Sequence, residues 1–251
     1  MKEQQQNLIE YIKSLNNMRG CITGSSLLPE YHEGSDVDLF MYDIKSFTKM
    51  YYTLINNPMF SIIDATEQWK AKMFENKEEK YGKVPIITIK IYYNTCIPLN
   101  LILKKDSTDI FSTLSSFDLD IICKGYCLQA KQYLDLTGNS ITTRVANINK
   151  WNPRYNSDNI WDLSRVFRQF SRVIKYEKRH FDTSAVAIRY KEILENIIEF
   201  ENIFKSEKME EKLNSIKVNG EILIKIIDVW LETKTITPEE LILLEETVNK
   251  L

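Results

Sequence analysis

Two patterns of apolar spacing divide this chain. Up to Lys104 the apolar residues come in short Ile-rich runs bounded by Pro85, Asn94 and Pro98, whereas from about Ser115 onward they recur at helical spacing. The first pattern suits strands and the second suits helices. The chain is therefore expected to be α+β, with a mixed sheet flanked by helices in its first part and an all-helical second part. Leu8, Ile9, Ile12 and Leu15 predict a helix over 3–17, and a second helix is expected over 44–56. Strands are expected over 19–23, 36–41, 60–64, 86–93 and 97–104. An Asn-rich break from Asn147 to Asn159, containing Pro153, suggests two domains, 1–146 and 147–251. The last helix opens at Thr237-Pro238-Glu239-Glu240, where Thr237 can cap, Pro238 suits the first turn and Glu240 completes a capping box.

With 251 residues, 43% of them hydrophobic and 27% charged, the chain can bury a substantial core, and this balance excludes wholesale disorder, collagen and coiled coil. No apolar run approaches the ~20 residues that cross a bilayer, and the opening residues lack the apolar core of a signal peptide. The expectation is a cytoplasmic protein without a membrane partner. Four scattered cysteines and two histidines make a zinc site or a disulfide scaffold a poor fit. Cys123 and Cys127, spaced i, i+4, are expected on a helix as small buried hydrophobes.

The sharpest chemical signal is Gly24-Ser25, ten further residues, and then Asp36-Val37-Asp38 followed by Leu39-Phe40-Met41. In a strand alternate side chains share a face, so Asp36 and Asp38 point the same way. Two carboxylates on one face suit Mg²⁺ or Mn²⁺, hard cations that bind through one or two carboxylates plus substrate phosphates. Gly24 lets backbone approach a triphosphate closely, and Ser25 can donate to it. Asp-x-Asp alone also occurs at polar strand ends and in sugar-nucleotide glycosyltransferases.

Taken together, these residues resemble the nucleotidyltransferase superfamily that includes DNA polymerase β, whose members carry Gly-Gly or Gly-Ser, a similar spacer, and Asp-x-Asp or Asp-x-Glu. The resemblance implies a catalytic head with a mixed sheet, Asp36 and Asp38 as metal ligands, Gly24 and Ser25 at the nucleotide, and a third carboxylate on a later strand. That third position falls on Asn100, in Ile97-Pro98-Leu99-Asn100-Leu101-Ile102-Leu103. An amide carries no charge and cannot serve as a base, so Asp106 or Asp118 could substitute, solvent could act as the base, or the site could be degenerate.

Two further stretches are similar to the head and neck of bacterial poly(A) polymerases and CCA-adding tRNA nucleotidyltransferases. Phe117-Asp118-Leu119-Asp120-Ile121-Ile122-Cys123-Lys124-Gly125-Tyr126 resembles the family's Arg-Arg-Asp-Phe-Thr-Ile-Asn-Ala segment without its two arginines. Asp162-Leu163-Ser164-Arg165-Val166-Phe167-Arg168 resembles the neck motif Glu-Asp-x-x-Arg-x-x-Arg, with Trp161 in place of the Glu. This implies that Asp118, Asp162, Arg165 and Arg168 contact the nucleotide, and that an RNA, tRNA or a poly(A)-type acceptor, is the partner. The resemblance runs from residue 3 to about 180; the remaining helices match no motif.

Charge placement bears on the same reading. Lys and Arg outnumber Asp and Glu by eleven to four across 144–191, and are outnumbered by seven to fourteen from 192 onward, within a net charge of -2. Arg165, Arg168 and Arg172 fall at i, i+3 and i+7, on one stripe of a predicted helix, with Arg179 two turns further along. Such a stripe can bind acceptor phosphates or pair with the acidic C-terminal helices. His32 reads as a loop histidine within reach of a phosphate or solvated. Trp151, Trp161 and Trp230 read as core or interface anchors rather than base-stacking platforms. Three activities remain open: nucleotidyl transfer from an NTP to an RNA 3'-hydroxyl, the same transfer to a small molecule or protein side chain, and nucleic-acid or protein binding by a catalytically dead homologue.

Overall fold

A computed structural model describes residues 1–30, 32, 35–62, 86–104, 106–152, 163–203 and 210–250. The chain is α+β. It divides into two compact units, Met1–Ile141 with Asn149–Pro153, and Thr142–Ile148 with Arg154–Leu251. Among the described residues no helix is long and apolar enough to cross a membrane.

The first unit contains helix α1 (Lys2–Ser14), β1 (Gly20–Thr23), β2 (Val37–Met41), α2 (Ile44–Ile55), β3 (Phe60–Ile62), β4 (Ile86–Tyr93), β5 (Ile97–Lys104), α3 (Ile110–Ser115), β6 (Lys124–Cys127) and β7 (Gln132–Asp135). The strands form one sheet in the order β3-β4-β5-β2-β1-β6-β7. β2 and β5 pair in parallel and every other neighbouring pair is antiparallel, so the sheet is mixed. The expected strands at 86–93 and 97–104 form at those bounds, because Ile87, Ile89 and Ile91 alternate with the outward Thr88 and Lys90, and Asn94 and Thr95 turn the chain back with positive φ. Ile63 and Asp64, included in the expected third strand, lie outside the described residues.

One face of the sheet is closed by α1 and α2. Leu8, Ile9 and Ile12 from α1 and Phe47, Met50, Tyr51 and Leu54 from α2 pack on Ile22, Val37, Leu39, Met41, Ile89, Leu99 and Leu101, all buried. The opposite face carries a much smaller cluster, Cys21, Phe40 and Ile102, with Ile110 and Phe117 packed against it. This asymmetry leaves polar residues of the second face open to ligand. A register slip of one residue would exchange the faces, so the large core fixes which side chains remain outside it.

The expectation of continuous helix beyond Ser115 is corrected by the structure. After α3 the chain makes a short 3-10 turn at Asp120–Ile122 and then forms the β6–β7 hairpin. Cys123 and Cys127 are accordingly not on a helix: Cys123 ends the 3-10 turn and Cys127 is the last residue of β6. Cys123 is buried as expected, and Cys127 is partly exposed. The part of the Asn-rich stretch that is described also acts as more than a break. The Asn149 amide donates to the carbonyls of Leu114 and Phe117, both at 3.0 Å, and the Asn152 amide donates to Ser116 at 3.2 Å and Phe117 at 3.0 Å. The two side chains thus add donors to carbonyls at and just beyond the C-terminus of α3, where the Phe117 N–H also bonds Leu114 at 3.2 Å.

The second unit is built from helices α4 (Leu163–Glu177), α5 (Ser184–Ile203), α6 (Glu210–Thr233) and α7 (Pro238–Lys250). Phe170 meets Trp230 edge to face with ring centroids 5.9 Å apart, and Trp230 is buried, an anchor of the helical core as expected. The capping box at α7 forms: the Thr237 N–H donates to Glu240 at 2.8 Å and the Glu240 N–H to the Thr237 hydroxyl at 3.2 Å. Ahead of the helices, Val145 bridges to Asp182, with the Ala146 N–H donating to the Asp182 carbonyl at 2.9 Å.

Asn149→Ala removes one of several donors to the Leu114 and Phe117 carbonyls, which keep the Phe117 N–H and the Asn152 amide respectively, and should lower unfolding free energy by about 0.5 to 1.5 kcal/mol in urea titration. An unchanged midpoint would show that water replaces the amide.

Candidate active site

Parallel pairing of β2 with β5 sets Asp38 directly beside Asn100. The Asn100 amide nitrogen donates to the Asp38 carboxylate at 2.9 Å and also to the Asp36 carboxylate, so one NH₂ group bridges both acids. Asp36 precedes β2 by one residue, and its place is held from below: Gln5 of α1 donates to the Ser35 carbonyl at 2.9 Å. Both aspartates are half-buried, and each leaves the helix-covered face to Val37 and Leu39.

Gly24 closes a third side. Its φ is +86°, in the left-handed region, and a Cβ at this position would run into the Asp38 carboxylate. Glycine is required here on both counts. Ser25 follows in a single 3-10 turn, Ser25–Leu27, which the Leu27 N–H closes onto the Gly24 carbonyl at 3.2 Å; Ser25 itself is buried. Gly24, Asp36, Asp38 and Asn100 therefore converge on the open face of the sheet, with Ser25 next in chain to Gly24.

Two neighbours were not singled out by sequence. Lys90 on β4 pairs with Asn100, and Thr23 on β1 pairs with Asp38, so Lys90, Asn100, Asp38 and Thr23 form one row across four strands. Directly opposed residues share a face, which places the exposed Lys90 beside the amide. Its only sequence signal is a polar position alternating with Ile89 and Ile91. The Thr23 hydroxyl is committed to the Lys124 carbonyl at 2.8 Å.

Asp118 is buried, and its backbone carbonyl accepts from the Asn149 N–H at 2.8 Å. Asp106 is exposed in the turn after β5. His32 is half-buried. Asp162 and Trp161 lie outside the described residues. Arg165, Arg168 and Arg172 are all on α4, with Arg172 exposed. Arg179 departs from expectation: α4 ends at Glu177, His180 takes a positive φ, and Arg179 is buried with its guanidinium over the Tyr176 ring at 5.5 Å. It does not extend the stripe. Trp151 is 45% exposed and meets the exposed Phe111 ring at 5.9 Å, so of the two anchor roles expected, core or interface, it does not take the core one.

Among the described residues no group of three or more His, Cys, Asp and Glu side chains converges as a metal cluster would. The donor set at the site is two carboxylates and one amide. Two carboxylates suffice for a Mg²⁺ that completes its shell with water and phosphate oxygens, so the residues fit the cation. The amide lies with nitrogen toward the acids; its oxygen becomes a ligand only after the side chain turns over.

No family model matches the chain, and no curated protein matches it. Among solved structures, the CCA-adding enzyme of Thermotoga maritima in complex with tRNA superposes with a TM-score of 0.49 at 13% sequence identity, over 99% of this chain and 67% of that one.

The bridging amide relieves repulsion between the two acids, which gives Asn100→Asp an unambiguous signature. The variant should melt below wild type in EDTA and gain more than wild type from Mg²⁺ or Mn²⁺ in a thermal-shift titration. Equal metal responses would place residue 100 apart from the cation. Gly24→Ala should destabilise by about 1 to 3 kcal/mol through strain and collision with Asp38, read as a lower urea midpoint.

Proposed function

We propose that the first unit is a metal-dependent, template-independent nucleotidyltransferase head that moves a nucleoside monophosphate from an NTP to the 3'-hydroxyl of an RNA. The observation that carries this reading is the β2–β5 register, which gathers Asp36, Asp38 and Asn100 against Gly24, a position where any side chain would collide with Asp38. It is a donor set suited to a cation-neutralised triphosphate rather than to a buried structural ion pair.

A divalent cation held by Asp36 and Asp38 supplies the charge that stabilises the triphosphate and the leaving pyrophosphate. Gly24 keeps the Asp38 carboxylate accessible from the β1 side, and the Ser25 turn presents polar groups to the phosphates. The RNA 3'-oxygen attacks the α-phosphorus, the bond from that phosphorus to the bridging oxygen breaks, and pyrophosphate departs with the electron pair. The hydroxyl proton passes to solvent, because the Asn100 amide cannot accept it. Lys90, in the same row, adds a positive charge on the phosphate side of Asn100. In the second unit, Asp162, Arg165 and Arg168 are assigned to the incoming nucleotide and Arg172 to acceptor phosphate, in keeping with the neck-like motif. Arg179, spent on Tyr176, is left out of that set. Asp118 is kept as a nucleotide contact only through its segment's resemblance.

A second reading is favoured by one specific contact. The Asn100 NH₂ group satisfies both carboxylates where a cation would otherwise be needed, which is what a binding homologue that has lost catalysis would also show.

The deciding experiment incubates the protein with each labelled NTP, Mg²⁺ or Mn²⁺, and total tRNA. Label in RNA, abolished by Asp36→Asn and Asp38→Asn with turnover reduced by several orders of magnitude, is the expected outcome. Label in protein or small molecules reassigns the acceptor, and no label from wild type or Asn100→Asp leaves the binding reading. Arg165→Ala should alter the relative use of the four NTPs if it reads the base; an equal loss for all four assigns it to phosphate.

A further inference from the structure

Cys21 on β1 and Cys127 on β6 stand directly opposite each other. Which kind of antiparallel pair they form follows from their neighbours. One step outward, the Leu128 N–H donates to the Gly20 carbonyl at 2.9 Å, so Gly20 and Leu128 are a hydrogen-bonded pair. Such pairs alternate along the ladder, which makes Cys21 and Cys127 a non-hydrogen-bonded pair. The other edge of β6 agrees: the Leu136 N–H donates to the Cys123 carbonyl at 2.8 Å, so residues 123, 125 and 127 spend their ladder bonds on β7. In a non-hydrogen-bonded pair the Cα atoms stand about 4.5 Å apart with side chains adjacent on one face, inside the span of about 4.4 to 6.8 Å over which disulfides form.

We propose that Cys21 and Cys127 are a redox modification site, closing reversibly to a cross-strand disulfide when the protein meets a hydroperoxide. The two thiols are unequal in a way that orders the steps. Cys127 is partly exposed, within reach of a peroxide from solvent, and its sulfur accepts the Ala130 N–H at 3.4 Å. Cys21 is fully buried, and burial pushes its thiol up to about 12, with the adjacent Tyr42 and Thr113 side chains offsetting only part of the effect. Cys127 is therefore the attacking sulfur. Its thiolate displaces hydroxide from the peroxide as the O–O bond breaks, leaving a sulfenic acid on Cys127. The Cys21 sulfur then attacks the Cys127 sulfur, the S–O bond breaks, and hydroxide leaves to take up the Cys21 proton. The two sulfurs lose two electrons in all and hydrogen peroxide is reduced to two waters.

Position gives this bond consequence. Thr23, two residues along β1 on the same face, is the partner of Asp38, and Gly125, two residues along β6, is the partner of Thr23. The disulfide would staple β1 to β6 one step from the row that carries the candidate active site. The other two cysteines supply internal controls, since Cys96 is partly exposed in the turn before β5 and Cys123 is buried at the end of the 3-10 turn before β6.

The test treats native protein with hydrogen peroxide, quenches with acid, and counts thiols after denaturation. The four free thiols should fall to two, with loss of the mass of two hydrogen atoms. Trypsin should then release Gly20–Lys45 joined to Gly125–Lys131, a product that dithiothreitol separates. Cys127→Ser should retain its remaining thiols and Cys96→Ser should form the same cross-link. Sulfinic acid on Cys127 without the joined peptides, a cross-link involving Cys96, or joined peptides only from unfolded protein would each overturn the proposal. Mapping in wild type stands even if a variant fails to fold, and none of these readouts depends on nucleotidyl transfer.

Discussion

The parallel contact between β2 and β5 governs the rest of the first unit. Among the described strands it is the one parallel pairing in an otherwise antiparallel sheet, and it decides that Asp38 faces Asn100 while Leu39 faces Leu101. The energy that fixes the register lies on the opposite face from the chemistry, where α1 and α2 bury an almost wholly apolar layer. Each fully buried Leu or Ile contributes about 1.5 to 3 kcal/mol, and a slip by one residue would expose the set on β2 and β5 together. The polar face is thus held in place by side chains that never touch it.

That division explains what was legible in the sequence. β4 and β5 were readable because Ile87, Ile89 and Ile91 alternate strictly, and because Asn94 and Pro98 mark the turn between them. The convergence of Gly24, Asp36 and Asp38 was readable because the motif combines a backbone requirement with a face requirement. Lys90 was not, since one lysine in an alternating strand is a common solvent-facing residue until pairing shows what lies beside it.

Errors in the reading share a cause: helical periodicity over short windows is ambiguous. Cys123 and Cys127, spaced by four, suggested a helix, but Lys124 to Cys127 has only four residues and pairs on both sides as a strand. The arginine stripe ran past the true end of α4 because no glycine or proline stops it; His180 ends the helix in the left-handed region, and Arg179 folds onto Tyr176. Asn149 and Asn152 looked like linker composition for the same reason that they cap well, since a short amide side chain competes with backbone for hydrogen bonds. Composition marks the place where helix yields to another arrangement and leaves open which arrangement follows.

At the candidate site the substitution of an amide for a carboxylate changes more than one charge. A third aspartate could only accept hydrogen bonds and would add to the repulsion between Asp36 and Asp38, so such a site is satisfied by cation alone. Asn100 donates to both acids, and Lys90 beside it carries a positive charge in the same row. The local charge is therefore far less negative than three carboxylates would make it, and the folded state can form without waiting for metal. If the site takes a cation as proposed, the cost would fall on the other side of the equilibrium: a cation entering between Asp36 and Asp38 would have to displace the amide nitrogen from both, and the side chain would have to turn its oxygen inward before it could offer any ligation. On the proposed reading, stability in the absence of metal and affinity for metal would be set against one another by a single side chain, and the β2–β5 register is what would make that opposition possible.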